Sequence, residues 1–305
     1  MPLTLNNPIK RILVFGEILF DVYPSEKHLG GAPLNFAYHL HHLGFRVKLL
    51  SAVGNDEKGR EILDFLSTEK MDCSLIQKSQ EYPSGEVRVS LDEQGSPEYD
   101  ILMPVAWDDI SQTRPGEQEA ACCDLFYFGS LCLRSEKSRA SLFALLEKIK
   151  KDVPVFFDIN LRQNYYSQTI IEKSLQNCTI LKCNLDEFDV LSEYFSLSDS
   201  EHKRLSQLSR MFKINTIILT KGEKGSLLFD STGVFELELK SDMTKSVIDT
   251  VGAGDAFSAL FVYGKLRHWD VSLALRRASD FAEKICAIKG ALPHEKKMYQ
   301  KILLF

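Results

Sequence analysis

Short apolar runs rich in β-branched and aromatic residues alternate along this chain with amphipathic stretches of helical period. The runs fall at residues 11–16, 47–53, 125–129, 153–158, 179–182 and 216–220, and a further short strand is expected at 226–229. The helical stretches fall at 32–43, 56–68, 135–150, 186–194, 202–212, 255–266 and 271–288. Such alternation predicts βαβ units around a mostly parallel sheet covered by helices on both faces. Several runs are apolar throughout, as strands buried on both sides must be. One segment departs from the rhythm. Residues 85–101 alternate strictly about a Glu-Gln-Gly-Ser-Pro turn at 93–97, which predicts a half-exposed antiparallel hairpin, a flap on the main body, with 20–28 as a further strand.

The length of 305 residues allows two domains or one large α/β domain. Lys and Arg number 37 against 42 Asp and Glu, a net charge of −5, so nothing in the charge balance favours a nucleic acid or a membrane surface. A small-molecule ligand is the expectation. The longest uncharged apolar stretch, 125–133, is too short for a membrane helix, and Glu17 interrupts the apolar run near the N-terminus. Seven cysteines without a C-x-x-C pair fit reduced thiols and a soluble, cytoplasmic protein. His39, His41 and His42 have metal-like spacing but are expected on a solvated helix face.

The segment Asp249-Thr250-Val251-Gly252-Ala253-Gly254-Asp255 leads directly into a helix. Its glycines permit unusual dihedrals and close approach, and the helix start presents free amides and a positive dipole end. That is an anion site, and Asp255 in the first turn can accept a proton beside the bound anion. Taken alone, the turn also fits a dinucleotide or methyltransferase glycine loop, or a structural helix start. Only 50 residues follow Asp255 and no strand-like run lies among them, which leaves no room for a second half-fold.

This stretch resembles the D-T-x-G-A-G-D signature of the ribokinase-like (PfkB) carbohydrate kinases. Gly30-Gly31-Ala32-Pro33-Leu34-Asn35 is similar to that family's N-terminal di-glycine motif, and Asn184-Leu185-Asp186-Glu187 to its N-x-x-E motif. Thr220-Lys221-Gly222-Glu223-Lys224-Gly225 resembles its nucleotide loop, and Gly290-Ala291 its late G-A. Gly16-Glu17 with Asp21, the Gly-Gly-Ala-Pro form of the di-glycine motif, and Asp158-Ile159-Asn160-Leu161-Arg162 look most like bacterial fructokinases.

The resemblance implies a three-layer α/β sandwich with a mostly parallel central sheet and a small β-sheet lid. It implies one catalytic domain over 1–305, with lid segments at about 17–30 and 83–106. It implies ATP-dependent, Mg²⁺-requiring phosphorylation of a primary hydroxyl of a small sugar, fructose first. Kinases for 2-keto-3-deoxygluconate, ribose or a nucleoside are rivals within the class, and a non-catalytic sugar sensor is the rival outside it. Asp255 would be the base, with the amides of Gly252, Ala253 and Gly254 holding the transferring phosphoryl group. Asp21, Gly30, Gly31 and Asn35 would meet the sugar. Asn184, Glu187, Thr220, Gly222, Gly225, Arg162 and Ser279 would meet the nucleotide, with Asn184 and Glu187 orienting metal-bound waters. Asp249 and Thr250 occupy positions of a monovalent-cation site, for potassium, in relatives. Ser279 departs from the asparagine common there and loosens the expectation of ATP over GTP. The flap's exposed edge would pair two subunits into a homodimer.

Overall fold

The structure, a computed structural model, describes residues 9–91, 97–239, 247–293 and 295–303. In chain order its first elements are β1 (Arg11–Phe15), β2 (Leu19–Val22), β3 (Lys27–Gly30), α1 (Ala32–His42), β4 (Arg46–Gly54), α2 (Glu57–Thr68), β5 (Ile76–Ser79), β6 (Gly85–Leu91) and β7 (Pro97–Ile101). There follow α3 (Arg114–Ala120), β8 (Leu125–Gly129), α4 (Glu136–Leu146), β9 (Val155–Asp158), α5 (Gln168–Asn177), β10 (Ile180–Asn184), α6 (Leu185–Tyr194) and α7 (Glu201–Phe212). The last are β11 (Thr216–Thr220), β12 (Gly225–Asp230), β13 (Gly233–Glu238), α8 (Ala253–Leu266), α9 (Val271–Cys286) and α10 (Lys297–Leu303).

Nine strands form one sheet in the order β13-β12-β11-β10-β9-β8-β1-β4-β5, and every pairing from β11 to β5 is parallel. Only β12 and β13 run antiparallel at one edge. Successive side chains of β1 point to opposite faces, so Leu13 and Phe15 enter one core and Ile12 and Val14 the other. The first core lies under α3 to α7 and the second under α1, α2, α8, α9 and α10. Two apolar layers around a buried parallel sheet are what the unbroken apolar runs demanded. No helix among the described residues is long and apolar enough to cross a membrane.

A second sheet, ordered β3-β2-β6-β7, forms the lid, its two antiparallel hairpins joined by a parallel β2–β6 pair. The expected single strand at 20–28 is instead β2 and β3, because the turn through Pro24 folds the chain back, with the Tyr23 amide donating to Glu26. The tip of the 85–101 hairpin, residues 92–96, lies outside the described residues. Arg134 anchors the lid's trailing end: its guanidinium donates to both oxygens of Asp108 at 2.8 Å and to the Leu102 carbonyl at 2.6 Å.

The histidine run on α1 corrects the expectation of a solvated face. His39 is fully buried, its Nδ1 2.7 Å from the Tyr299 hydroxyl, and His41 and His42 are half-buried. Helix α10 covers this face, an interaction over 260 residues that no local pattern announces. Burial, then the neighbouring His42, hold the His39 pKa down to about 3, so its ring is neutral.

Candidate active site

The strand order reverses beside β1, which has β4 on one side and β8 on the other. In open α/β sheets the crevice outside the carboxyl ends at such a point is where ligands bind. The exits of β1, β9 and β10 bring Glu17, Asp158 and Asn184 to that edge, and the lid strands β2 and β3 rise from it.

Two glycines are dictated by contact as well as by backbone. Gly31 has φ 106°, and a Cβ there would lie 2.7 Å from the Glu17 carbonyl oxygen. Gly252 caps α8 in the left-handed region at φ 79°, where a Cβ would lie 2.2 Å from the Ala291 methyl carbon. The 249–255 turn therefore packs against the late Gly-Ala pair, and Asp249 ties the two together. Its carboxylate accepts from the amides of Val251 and Gly290, each at 3.0 Å. The Gly252, Gly254 and Asp255 amides have no acceptor among the described residues, as expected for a helix start that awaits an anion. Replacing Gly31 with alanine should add about 1–3 kcal/mol of local strain and, if Gly31 meets the sugar as the resemblance implies, raise the KM of the sugar more than that of the nucleotide. Steady-state kinetics with each substrate varied in turn would show it.

Asp255 and Asn35 lie 220 positions apart in the chain, yet the Asn35 amide donates to the Asp255 carboxylate at 2.8 Å. Asn35 Oδ1 is buried without a hydrogen-bond partner among the described residues. Burial, with Asp158 adding to it, raises the Asp255 pKa to about 6; Asn35, Lys182 and Arg162 act the other way. Asp21 on β2 is likewise raised to about 6, chiefly by burial, and its Oδ2 lies 3.0 Å from where a Gly30 Cβ would be. Asp21, Gly30, Gly31, Asn35 and Asp255 thus come together beneath the lid. If Asp255 is the base that the resemblance implies, kcat/KM should rise through a limb centred near pH 6 and fall at least tenfold per unit below it, since Asp21 titrates in the same range. A flat profile from pH 5 to 8 would contradict that.

Asn184 and Glu187 close a capping box at the start of α6: each accepts the other's backbone N–H at 2.8 Å. The second Glu187 oxygen accepts the Leu161 amide at 3.0 Å, pinning the 159–162 loop. Asn184 pairs in register with Thr220, whose hydroxyl donates to the Cys183 carbonyl, and Gly222 and Gly225 form the turn beyond it. Ser279 is buried on α9, which packs beside α8, β12 and β13. Arg162 favours the ionised forms of Asp21, Asp255 and Glu17, so its charge is felt both at the lid strand β2 and at the start of α8.

Sequence reading passed over the ion pair beneath the site. Lys182 on β10 donates to Asp158 at 3.0 Å, and Asp158 also accepts from the Ser258 hydroxyl at 2.8 Å. Burial pulls the Lys182 pKa down, but Asp158, Glu187 and Asp255 outweigh it and hold the ammonium charged. The available signal was a charged residue inside an otherwise apolar buried strand. Glu17, buried at the exit of β1, has its pKa pushed up to about 7 by burial first and then by Asp255.

The sequence matches the pfkB family carbohydrate kinase model over residues 10–297. The chain belongs to the PfkB family of carbohydrate kinases. Among its relatives, the 5-dehydro-2-deoxygluconokinase of Clostridium botulinum is 26% identical over 94% of this chain and 83% of that protein. The fold is similar to that of a Vibrio cholerae fructokinase solved with fructose, ADP and calcium, with a TM-score of 0.80 and 25% identity over 97% of this chain and 99% of that one. It is also similar to an uncharacterized sugar kinase of Pyrococcus horikoshii solved with ATP, with a TM-score of 0.74 and 26% identity over 92% and 94% of the two chains. The large, mostly parallel sheet with its small, mostly antiparallel lid is thus the ribokinase-like fold expected of a PfkB kinase.

Proposed function

We propose that this PfkB kinase transfers the γ-phosphoryl group of Mg-ATP to a primary hydroxyl of a small furanose-forming sugar, fructose being the first candidate. The observation that carries the reading is the Asn35–Asp255 hydrogen bond. It joins the di-glycine segment under the lid to the base at the mouth of the α8 amide turn, so one carboxylate touches both halves of the reaction.

In this reading Asp21 and Asn35 hold adjacent sugar hydroxyls, and the Gly30–Gly31 backbone lies against the ring. The attacking hydroxyl oxygen forms its bond to the γ-phosphorus as the bond to the β–γ bridging oxygen breaks, and ADP leaves with that electron pair. The hydroxyl proton passes to Asp255. Such a transfer goes through a loose transition state, so positioning and charge neutralisation by the amides of residues 252–255 matter more than the strength of the base. Magnesium enters as part of the nucleotide substrate. Both Glu187 oxygens are already committed to backbone amides, which suits a residue that orients metal-bound water better than one that grips the ion.

A second reading has one observation in its favour. The charge of Arg162 reaches Asp21 and Glu17 on the lid side, which suits an acidic keto-deoxy sugar such as the substrate named for the Clostridium relative. Both readings are tested by one panel: purified protein with Mg-ATP, assayed for ADP release with fructose, ribose, a nucleoside, 2-keto-3-deoxygluconate and 5-dehydro-2-deoxygluconate. One sugar is expected to stimulate release well above the rest. If none does while sugars still bind, the sensor reading replaces the kinase.

A further inference from the structure

We infer that Lys182 is a catalytic residue of the phosphoryl transfer: its ammonium lies beside the α8 amide turn and meets the transferring phosphoryl group. The inference rests on the kinase reading and adds a residue to it.

Lys182 sits on β10 between β9 and β11, with its side chain only 9% exposed. A Cβ on Gly254 would lie 3.0 Å from Lys182 Nζ. Helical Cα–Cβ bonds tilt toward the N-terminus, so the ammonium flanks the open end of α8, where the unpaired amides of Gly254 and Asp255 begin. Carboxylates, not ammonium groups, are stabilised at helix N-termini. A cation here repels the dipole until an anion lies between them. Asp158, held by Ser258, neutralises Lys182 in the free protein at 3.0 Å, and Glu187 and Asp255 also act on it.

A merely structural Lys–Asp pair has no need of a place at the mouth of the turn, where its ammonium lies close enough for a Cβ on residue 254 to meet it. An arriving phosphoryl group would find amide donors on one side and the ammonium on the other. During transfer Lys182 keeps its proton. It offsets charge on the non-bridging oxygens while the sugar proton goes to Asp255 and the bridging oxygen leaves with ADP.

The test compares wild type, Lys182→Met and the double variant Asp158→Asn/Lys182→Met, the last of which removes both charges of the buried pair. Calorimetric binding of Mg-ATP and Mg-ADP is measured alongside kcat and the sugar KM. A contact to the transferring group should lower kcat about a hundredfold in both variants with the sugar KM nearly unchanged. Mg-ATP affinity should fall about tenfold while Mg-ADP affinity holds, as expected when a charged contact to the terminal phosphate alone is lost. Equal losses for the two nucleotides, or no loss for either in the double variant, would overturn the inference. Absence of sugar-stimulated ADP release in wild type would instead count against the kinase reading, and the ATP-to-ADP comparison would still decide the role of Lys182.

Discussion

Changing Asp255 to asparagine is expected to lower kcat on the order of a thousandfold, within the range typical for removal of a positioned general base. The reason is local. Asparagine keeps the size of the side chain, and its carbonyl oxygen can still accept from Asn35 Nδ2, so the 2.8 Å link between the two halves of the site survives. The proton of the attacking hydroxyl loses its acceptor. Sugar binding, measured by calorimetry, should therefore stay within a few-fold of wild type, and the acid limb near pH 6 should flatten. A variant that keeps a tenth or more of wild-type turnover would remove Asp255 from the role of base.

Asp158→Ala should be the most destabilising single change near the site, costing about 3–5 kcal/mol, because it leaves a buried charge without its partner. Asp158 is 1% exposed at the side chain and receives both the Lys182 ammonium and the Ser258 hydroxyl. Truncation strands both donors, one on the central strand β10 and the other on helix α8. Urea denaturation followed by circular dichroism would show the midpoint drop, and adding Lys182→Met should recover most of it. If Asp158→Ala alone shifts the midpoint no more than an exposed-site alanine does, the pair is not holding β9 to β10 in the way its geometry implies.

These outcomes depend on different kinds of information. The strands and helices of the parallel core were legible because burial on both faces forces continuous apolar runs, and because helical amphipathicity has its own period. The lid strand β3 and the edge strands β5 and β13 were harder to find, since short half-exposed strands carry little pattern. The capping box at Asn184 and Glu187 could be read from four consecutive residues, yet its second task, holding the Leu161 amide, could not. His39 was misplaced because a helix face turns from surface to core only when something distant covers it, here Tyr299.

The sequence by itself determined the local chemistry. A glycine turn leading into a helix, an aspartate in its first turn and a di-glycine entry to α1 each follow from the dihedral freedom and dipole of a few adjacent residues. Only the tertiary structure decided which of these meet. The Asn35–Asp255 bond, the contact of Gly252 with Ala291 and the Lys182–Asp158–Ser258 chain join residues from separate strands and helices. Sheet order and helix packing set those distances, and the electrostatics follow from them. Whether burial or a neighbouring charge governs the pKa of Asp255 is a property of the enclosed site, not of any segment of the chain.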